Sequence, residues 1–392
     1  MRAAVRTRRL IGPAGTVAAV AAILGSLTLA TPAQAAPAAQ AAPAEAAAGE
    51  CTPTVKVLED LPGTDPAPWR RDTQVSGIGP AGLAVGASRN RPAFWFGGRA
   101  YPVPLPAGYT SGRVAAVNRW GLMVGTMYGP DGWRAFSHLP WARAVTLLPG
   151  GEYATGVNDH GRIVGYRYER ASQDTVGVEW AGATIRRELA EPAGFDLRAI
   201  SGINNDGRII GHGWGAPADP DDSWGTAPGL VWSEDIAAPP VLMSPPGNAY
   251  EVSEPKAIDE SGRIIGEIGS GHEGLNQLVT WVAPYTDWTT TPLLAGRTGG
   301  SFEDISPSTG AVVGRAYDSP YEMPPEEIPE QAQYWPGSGP MKALPRLAPD
   351  GASAAFTVTD QDQVGGMAVD AAGVRRPVIW TCAGQQAYLP AP

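Results

Sequence analysis

Aromatic and acidic side chains concentrate in two segments of the chain, residues 212–231 and 315–334. Aromatic rings stack on sugar or proline rings, and carboxylates bind cations or basic groups. These residue types favour a ligand-binding surface, and solvated loops whose aromatics merely cover the edge of a scaffold are the alternative. Together with one tryptophan from a shorter segment, the candidate binding residues are Trp133, Trp214, Asp221, Asp222, Trp224, Tyr317 and Tyr321.

The same carboxylates give little support for a metal site or for catalysis. Residues 219–222 read Asp-Pro-Asp-Asp, which lacks the loop spacing of an EF-hand and its glycine at the sixth position. Paired carboxylates are what a glycosidase needs, but a chain with so many acids in loops always offers some pair. The four histidines share no ligand spacing. We therefore predict no metal, no cofactor and no catalytic residue.

Enzyme motifs are also missing from the sequence. There is no G-x-S-x-G, H-E-x-x-H, C-x-x-C or P-loop pattern. Residues 77–82 match G-x-G-x-x-G, but a dinucleotide site needs that pattern to open a helix after a strand. Here Pro80 lies inside the pattern, which reads as a hairpin turn.

A recurring sequence motif, the repeat phrase, flanks the two segments and determines where they lie in the fold. Its clearest copies are Val157–Gly165, Ile203–Gly211 and Ile258–Gly266, and recurrence every ~40–50 residues indicates a repeat architecture. Each copy has an apolar strand, a turn that begins with Asn or Asp and ends on Gly, and a second strand, which together predict a β-hairpin. The seven turns centre on Gly82, Gly121, Gly161, Gly207, Gly262, Gly310 and Asp362. Asp is tolerated in the left-handed backbone region that the turn requires.

Two further strands follow each hairpin. The third strand ends in a large aromatic, and the fourth is often closed by Leu-Pro. The seven aromatics are Trp95, Phe136, Trp180, Trp232, Trp281, Trp335 and Trp380. Four strands in each of seven units predict an all-β fold, a seven-bladed β-propeller of four-stranded blades. A β-solenoid, whose coils are usually shorter, or an open array is the rival. We expect the closing glycine of each phrase, such as Gly125, to lie where neighbouring backbones approach closely.

The two cysteines, Cys51 and Cys382, stand at opposite ends of the predicted propeller. An even pair in an exported protein indicates a disulfide. Cys382 follows Trp380 by two residues, where the seventh unit turns into its fourth strand. Residues 55–62 read like a fourth strand with no earlier unit. We predict that this N-terminal strand completes the seventh blade and that the disulfide closes the ring, with residues 386–389 as an alternative occupant of the same slot.

The repeats resemble those of the extracellular HAF-repeat family, which is named after a His-Ala-Phe signature. The resemblance covers roughly residues 55–382 and rests on the seven hairpin phrases, on Ala93-Phe94-Trp95 and Ala135-Phe136, and on the Leu-Leu-Pro-Gly-Gly at 147–151. Pro92 and Arg134 stand where the signature has His. The resemblance implies a secreted propeller-like repeat protein and supplies no catalytic residues.

The N-terminus predicts export. Four arginines within residues 2–9 precede an apolar stretch at 17–29, and Ala-Gln-Ala at 33–35 is a cleavage site. Whether the general or the twin-arginine route is used stays open. No second apolar stretch is long enough to span a membrane. The predicted organisation is a signal peptide at 1–35, a flexible Ala/Pro-rich linker at 36–50, and a propeller of seven HAF-like repeats at 51–392.

The charge balance argues against a nucleic-acid ligand. Once the four signal arginines are removed, 39 acidic and 25 basic residues remain, a formal charge of −14. No basic stripe offsets this charge, so DNA or RNA would be repelled.

These observations predict a secreted, monomeric binding or scaffold module for an extracellular ligand or protein, possible ligands being a glycan or a cell-wall polymer. The separation between the closing glycine and the third-strand aromatic varies from 9 to 21 residues among the repeats. Loops of varied length on a rigid scaffold are where binding is built. The alternatives are an extracellular polysaccharide hydrolase or lyase that uses loop carboxylates, and a structural envelope protein.

Overall fold

Seven antiparallel sheets of four strands each form a seven-bladed β-propeller, as the repeats predict. The computed structural model describes residues 51–63, 72–170, 172–191, 194–215, 226–243, 252–270, 274–318 and 330–390. The signal peptide and linker predicted for residues 1–50 lie outside these ranges. None of the helices in the described ranges has the length and apolar character needed to cross a bilayer.

Each blade is numbered in chain order, and its strands run from the centre of the propeller outwards. Blade one comprises β2 (Gln74–Ile78), β3 (Ala84–Ser88), β4 (Arg91–Phe96) and β5 (Arg99–Pro102). Blade two comprises β6 (Ser111–Val117), β7 (Met123–Gly129), β8 (Gly132–His138) and β9 (Thr146–Leu147). Blade three comprises β10 (Tyr153–Val157), β11 (Arg162–Glu169), β12 (Asp174–Ala181) and β13 (Thr184–Glu188). Blade four comprises β14 (Phe195–Ile203), β15 (Ile209–Gly215), β16 (Gly229–Trp232) and β17 (Val241–Leu242). Blade five comprises β18 (Val252–Ile258), β19 (Ile264–Ser270), β20 (Gly274–Trp281) and β21 (Trp288–Thr291). Blade six comprises β22 (Gly299–Ile305), β23 (Val312–Tyr317), β24 (Gln331–Trp335) and β25 (Lys342–Ala343), and blade seven comprises β26 (Ser353–Val358), β27 (Val364–Val369), β28 (Arg375–Thr381) and β1 (Thr54–Val57).

The N-terminal strand closes the ring, which confirms the predicted arrangement. Strand β1 pairs antiparallel with β28 of blade seven, with Val55 opposite Trp380. Beside this pair the Cys51–Cys382 disulfide joins the two ends, with their Cα atoms 5.9 Å apart. The alternative occupant of the slot goes elsewhere: a short helix α1 (Ala383–Gln386) turns the chain away, and Tyr388 bridges to Ala343 of blade six.

All seven hairpin turns adopt the backbone conformation that the repeat predicts. The residue at the centre of each turn has a positive φ, from +74° at Gly161 to +85° at Gly262, and +57° at Asp362. The substitution of Asp for Gly in the seventh copy therefore keeps the turn geometry.

The hydrophobic core is divided into seven clusters, and each cluster lies between two adjacent blades. The third-strand aromatics fill these clusters, and Trp95, Phe136, Trp180 and Trp380 are fully buried. Burying side chains of this size supplies much of the apolar stabilisation. A blade therefore has no core of its own and depends on both neighbours.

Several indole groups also bond to the blade before their own, whereas that of Trp335 donates to Gly339 within its own blade. The Nε1–H of Trp180 donates to the carbonyl of Pro149 at 2.9 Å, and that of Trp380 donates to the carbonyl of Pro345 at 2.9 Å. Both prolines close the fourth strand of the preceding blade. The Leu-Pro ending of the repeat therefore supplies an acceptor for a buried donor, which would otherwise be costly.

Every innermost strand contains a β-bulge at the same position. The bulged residues are Ser76, Ala115, Thr155, Ser201, Lys256, Glu303 and Phe356. At the bulge the first strand comes so close to the second that a Cβ on the closing glycine would overlap a backbone carbonyl oxygen, that of Ala199 for Gly211 and that of Glu254 for Gly266. This confirms the close approach predicted for these glycines.

Gly211→Ala should therefore lower the free energy of unfolding by about 1–3 kcal/mol, because the backbone must shift to admit the methyl group. Gly202→Ala in the same blade is the matched control, since nothing lies within 4 Å of its added Cβ. Chemical denaturation of both variants measures the difference. Equal effects of the two substitutions would contradict the steric explanation.

The first residue of the turns links neighbouring blades. The side-chain amide of Asn118 donates to the carbonyl of Asn158 at 2.9 Å, Asn158 donates to Asn204 at 3.1 Å, and Asn204 donates to Asp259 at 3.1 Å. The Oδ1 of Asn158 meanwhile accepts the backbone N–H groups of its own turn, from His160 and Arg162. We call these four residues the turn relay. Turn chemistry alone predicts that such a side chain accepts the N–H groups of its own turn, and it does not predict the hydrogen bond to the neighbouring blade.

Asn158→Asp separates the two roles, because it keeps the turn acceptor but places a carboxylate oxygen against the carbonyl of Asn204. If the relay stabilises the ring, this variant should lose at least about 1 kcal/mol of unfolding free energy. His160→Ala, at the exposed position of the same turn, serves as the control. Thermal and urea unfolding of both variants provide the measurement, and a fully stable Asn158→Asp protein would show that the relay contributes nothing.

Candidate functional site

The propeller has two faces of different character. The turn face carries the first-to-second-strand turns, and the connection face carries the second-to-third-strand loops and the links between blades. The seven inner strands surround a central channel of about 630 Å³, into which all seven bulged residues project. The isoleucine or valine that ends each inner strand, such as Ile203, lines the channel at the turn face.

The predicted binding residues that the structure describes lie on three different blades. Trp133 in β8 and Trp214 in β15 are both partly exposed, and the guanidinium of Arg198 lies 5.4 Å from the ring centroid of Trp214. Tyr317 ends β23 and directs its hydroxyl to the carbonyl of Gly300 at 3.4 Å. No ring contact among the described residues joins two of these three. Asp221, Asp222, Trp224 and Tyr321 lie outside the described residues.

Trp133 belongs instead to a row of four rings on the connection face, which we call the aromatic row. Its centroid lies 5.1 Å from that of Tyr128 in the same blade and 5.7 Å from that of Tyr153 in blade three. Tyr153 stacks on Tyr166 at 4.8 Å with 23° between the planes. Tyr128 and Trp133 are 47% and 36% exposed. The row therefore presents aromatic surface from the outer loop of blade two to the inner strands of blade three.

A groove of about 380 Å³ adjoins the aromatic row. It is lined by Arg134, which follows Trp133, by the link between blades two and three, and by Tyr168. Glu152, in that link, accepts the backbone N–H of Tyr168 at 3.1 Å. The groove combines apolar walls with the guanidinium groups of Arg134 and Arg167 and the carboxylate of Glu152, and apolar walls with a few polar groups are the usual make-up of a ligand site.

A second group of polar residues was missed by the sequence reasoning. Its members follow the closing glycine of each repeat directly. Their side chains face the next blade, near the connection-face end of the inner strands. The seven residues there are Ala87, Thr126, Tyr166, His212, Glu267, Arg315 and Met367. Aligning the repeats on the closing glycine would have revealed this position, because it is variable beside an otherwise repetitive phrase.

Blades four to six carry a charged group at this end of the channel, the channel-mouth cluster, defined as His212, Glu254, Lys256, Glu267, Glu303, Arg315 and Glu330. Lys256 Nζ lies 2.5 Å from Glu254 Oε2, and His212 Nε2 lies 3.7 Å from Glu254 Oε1. Arg315 bridges Glu303 at 3.3 Å and Glu330 at 2.9 Å. Lys256 and Glu303 are bulged residues that line the channel, so the cluster reaches the channel through these two side chains.

Burial controls the protonation of the cluster. It raises the pKa of Glu267 to about 7, although the Lys256 ammonium acts in the opposite direction. Burial likewise raises the pKa of Glu303 against the effect of Arg315, and it lowers the pKa of His212 against the effect of Glu254. Burial opposes the charge of Lys256, yet the Glu267 and Glu254 carboxylates hold the pKa of that lysine above its usual value.

Two buried acceptor atoms, one within the cluster and one next to it, have no hydrogen-bond partner. They are Oε1 of Glu267 and Oε1 of Gln333, whose residues are 4% and 0% exposed. The amide of Gln333 donates to the carbonyl of Ser301 at 3.1 Å, and the Ser301 hydroxyl donates to Glu303 Oε1 at 3.4 Å. In the described ranges no three acids or histidines are placed to hold a metal ion.

Glu267 predicts a pH dependence of stability. Its pKa of about 7 in the folded protein lies above the ordinary 4.5, so the folded state binds the proton more tightly than the unfolded state. Stability is therefore lost as the pH rises from about 4.5 to 7, by at most about 3 kcal/mol. Glu267→Gln should remove this loss, which urea unfolding across that pH range measures. Asp206→Asn, which removes one exposed charge on the turn face, is the control, and identical profiles for wild type and Glu267→Gln would contradict the assignment.

Comparison with known proteins confirms the fold and goes no further. No protein-family model and no curated protein matches the sequence. Among solved structures, oligogalacturonate lyase in complex with manganese aligns with a TM-score of 0.51 at 9% identity, over 84% of this chain and 96% of that one. The β-propeller domain of the trilobed protease from Pyrococcus furiosus aligns with a TM-score of 0.50 at 10% identity, over 79% and 95%. At these identities the similarity shows the propeller fold alone.

Proposed function

We propose that the protein is a secreted propeller that binds an extracellular glycan along the aromatic row of its connection face. The observation that carries the proposal is the continuity of the four rings across the boundary between blades two and three. A polysaccharide offers successive ring faces, and a row of aromatics matches such a ligand better than one isolated pocket. The adjoining groove adds two guanidinium groups and a carboxylate for sugar hydroxyls.

The chemistry of the row supports a neutral stacking surface. Burial raises the pKa of Tyr153 and of Tyr166, so both phenols stay uncharged at physiological pH. Arg113 lies near both rings and is exposed. An uncharged aromatic surface with a cation at its edge can stack on a sugar and hydrogen-bond to its substituents.

Export is part of the proposal. It is supported by the signal-peptide pattern of the first 35 residues and by the disulfide, which persists in oxidising compartments. We also propose that the chain is a divergent member of the HAF-repeat family, on the repeat phrases alone. We likewise propose that the protein is a monomer.

Trp133→Ala should abolish most glycan binding, because Trp133 contacts both neighbours in the row. Loss of a central aromatic typically weakens binding by at least about 2 kcal/mol, or roughly thirtyfold in Kd. Trp141→Ala is the matched control, since Trp141 is 73% exposed and follows β8 towards the turn face. A glycan array followed by calorimetry on the best ligand is the measurement. Equal loss in both variants, or no glycan ligand for the wild type, would count against the proposal.

A second candidate function is hydrolysis or elimination on the same polymer. The observation that favours it is the channel-mouth cluster, where the carboxyl groups of Glu267 and Glu303 have raised pKa values beside Lys256 and Arg315. Carboxyls with raised pKa values near a cleft are candidates for general acids. Release of new chain ends from a polysaccharide panel, lost in Glu303→Gln, would favour this function over binding alone.

A further inference from the structure

The aromatic row and the channel-mouth cluster both lie on the connection face. Tyr166, the last ring of the row, occupies the position after the closing glycine in blade three, and His212 and Glu267 occupy the same position in blades four and five. The row therefore leads to the ring of variable residues that contains the cluster. A polymer stacked on the row would therefore extend towards the channel mouth.

The cluster has more negative than positive groups. Glu254, Glu303 and Glu330 stand against two permanent cations, Lys256 and Arg315, and Glu267, with a pKa of about 7, adds a partial negative charge at neutral pH. His212 does not compensate, because burial lowers its pKa. Glu254, Glu303 and Glu330 each keep about a quarter of their side-chain surface exposed, so a ligand can reach them.

The unsatisfied atoms beside the cluster add an independent requirement. Glu267 and Gln333 each present a buried oxygen that accepts no hydrogen bond. Buried acceptors without donors are costly, and a ligand that supplies N–H groups relieves the cost. A ligand group that is both a hydrogen-bond donor and positively charged fits the unsatisfied acceptors and the negative balance of the cluster.

We propose that the glycan bound by the aromatic row is an amino-sugar polymer with free ammonium groups, and that Glu254, Glu303 and Glu330 at the channel mouth bind one of them. This inference rests on the proposed function, because the row supplies the stacking surface. An ammonium carries three donors and no acceptor, which matches the excess of carboxylates. The formal charge of −14 on the chain without its signal segment would further attract a polycation.

The test compares two probes with the same sugar backbone, one with free charged amino groups and one with neutral acetylated amino groups. An oligosaccharide of β-1,4-linked glucosamine and the same oligosaccharide fully N-acetylated are titrated into the protein by calorimetry at low salt. The wild type should bind the amino form at least about tenfold more tightly, since charge-assisted hydrogen bonds are about twice as strong as neutral ones. Added salt should reduce that preference.

Variants then assign the preference to the cluster. Glu303→Gln and Glu330→Gln should each reduce it, and the double variant should remove it while the acetylated form still binds. Asp206→Asn on the turn face removes an equal charge and should leave the preference intact. Trp133→Ala should weaken both probes alike. Retention of each fold is checked by circular dichroism, and Glu330→Gln alone is sufficient if the Glu303 variant does not fold.

The outcomes separate the two proposals. Equal affinity of the wild type for both probes, or a preference that is undiminished in the Glu330→Gln protein, would overturn the amino-sugar inference. Binding of only neutral or acidic glycans through Trp133 would overturn the inference and leave the proposed function standing. Absence of any glycan whose binding depends on Trp133 would remove the proposed function and the inference together.

Discussion

The β-bulge in each inner strand is the constraint on which the rest of the molecule depends. It places two residues opposite one, and the resulting approach of the backbones leaves room only for glycine on the second strand. It also turns one side chain per blade into the channel, from Ser76 in blade one to Phe356 in blade seven. Because the backbone alone makes the bulge, that side chain is free to vary. A structural requirement therefore creates seven positions at which chemistry can be added without disturbing the fold.

The two faces of the ring use polar groups for different purposes. On the turn face, Asn118, Asn158 and Asn204 are nearly fully buried. Their side-chain oxygens accept hydrogen bonds within the turn, and their side-chain amides donate to the next blade. Asp304 has a comparable role between blades six and seven, where its carboxylate accepts the N–H of Val358 at 2.9 Å. The connection face instead leaves rings exposed and acceptors unsatisfied. Stability is concentrated where the repeats agree, and recognition is concentrated where they differ.

Much of the scaffold was predictable because its causes are local. Positive φ at Gly121 or Asp362 follows from turn chemistry, and burial of Trp180 follows from its place in a strand. Ring closure by β1 was predictable because blade seven lacked a fourth strand, but the competition from residues 386–389 for that slot could not be decided from the sequence. The partners of Trp133 were not predictable, since Tyr153 and Tyr166 lie in the next blade. The channel-mouth cluster was missed because Lys256 and Glu303 project into the channel only through a bulge, which breaks the alternation that a strand pattern shows.

The position of the disulfide has a mechanical consequence. Cys51 and Cys382 are separated by 331 residues in sequence but only by one covalent bridge in space. Tension applied to the two ends of the chain therefore passes through the bridge and bypasses all seven blades. A load that would peel β1 from β28 in the reduced protein leaves the oxidised ring unstrained. A propeller tethered at one end and pulled by a bound polymer elsewhere has no such protection, so its resistance to force depends on the direction from which the force comes.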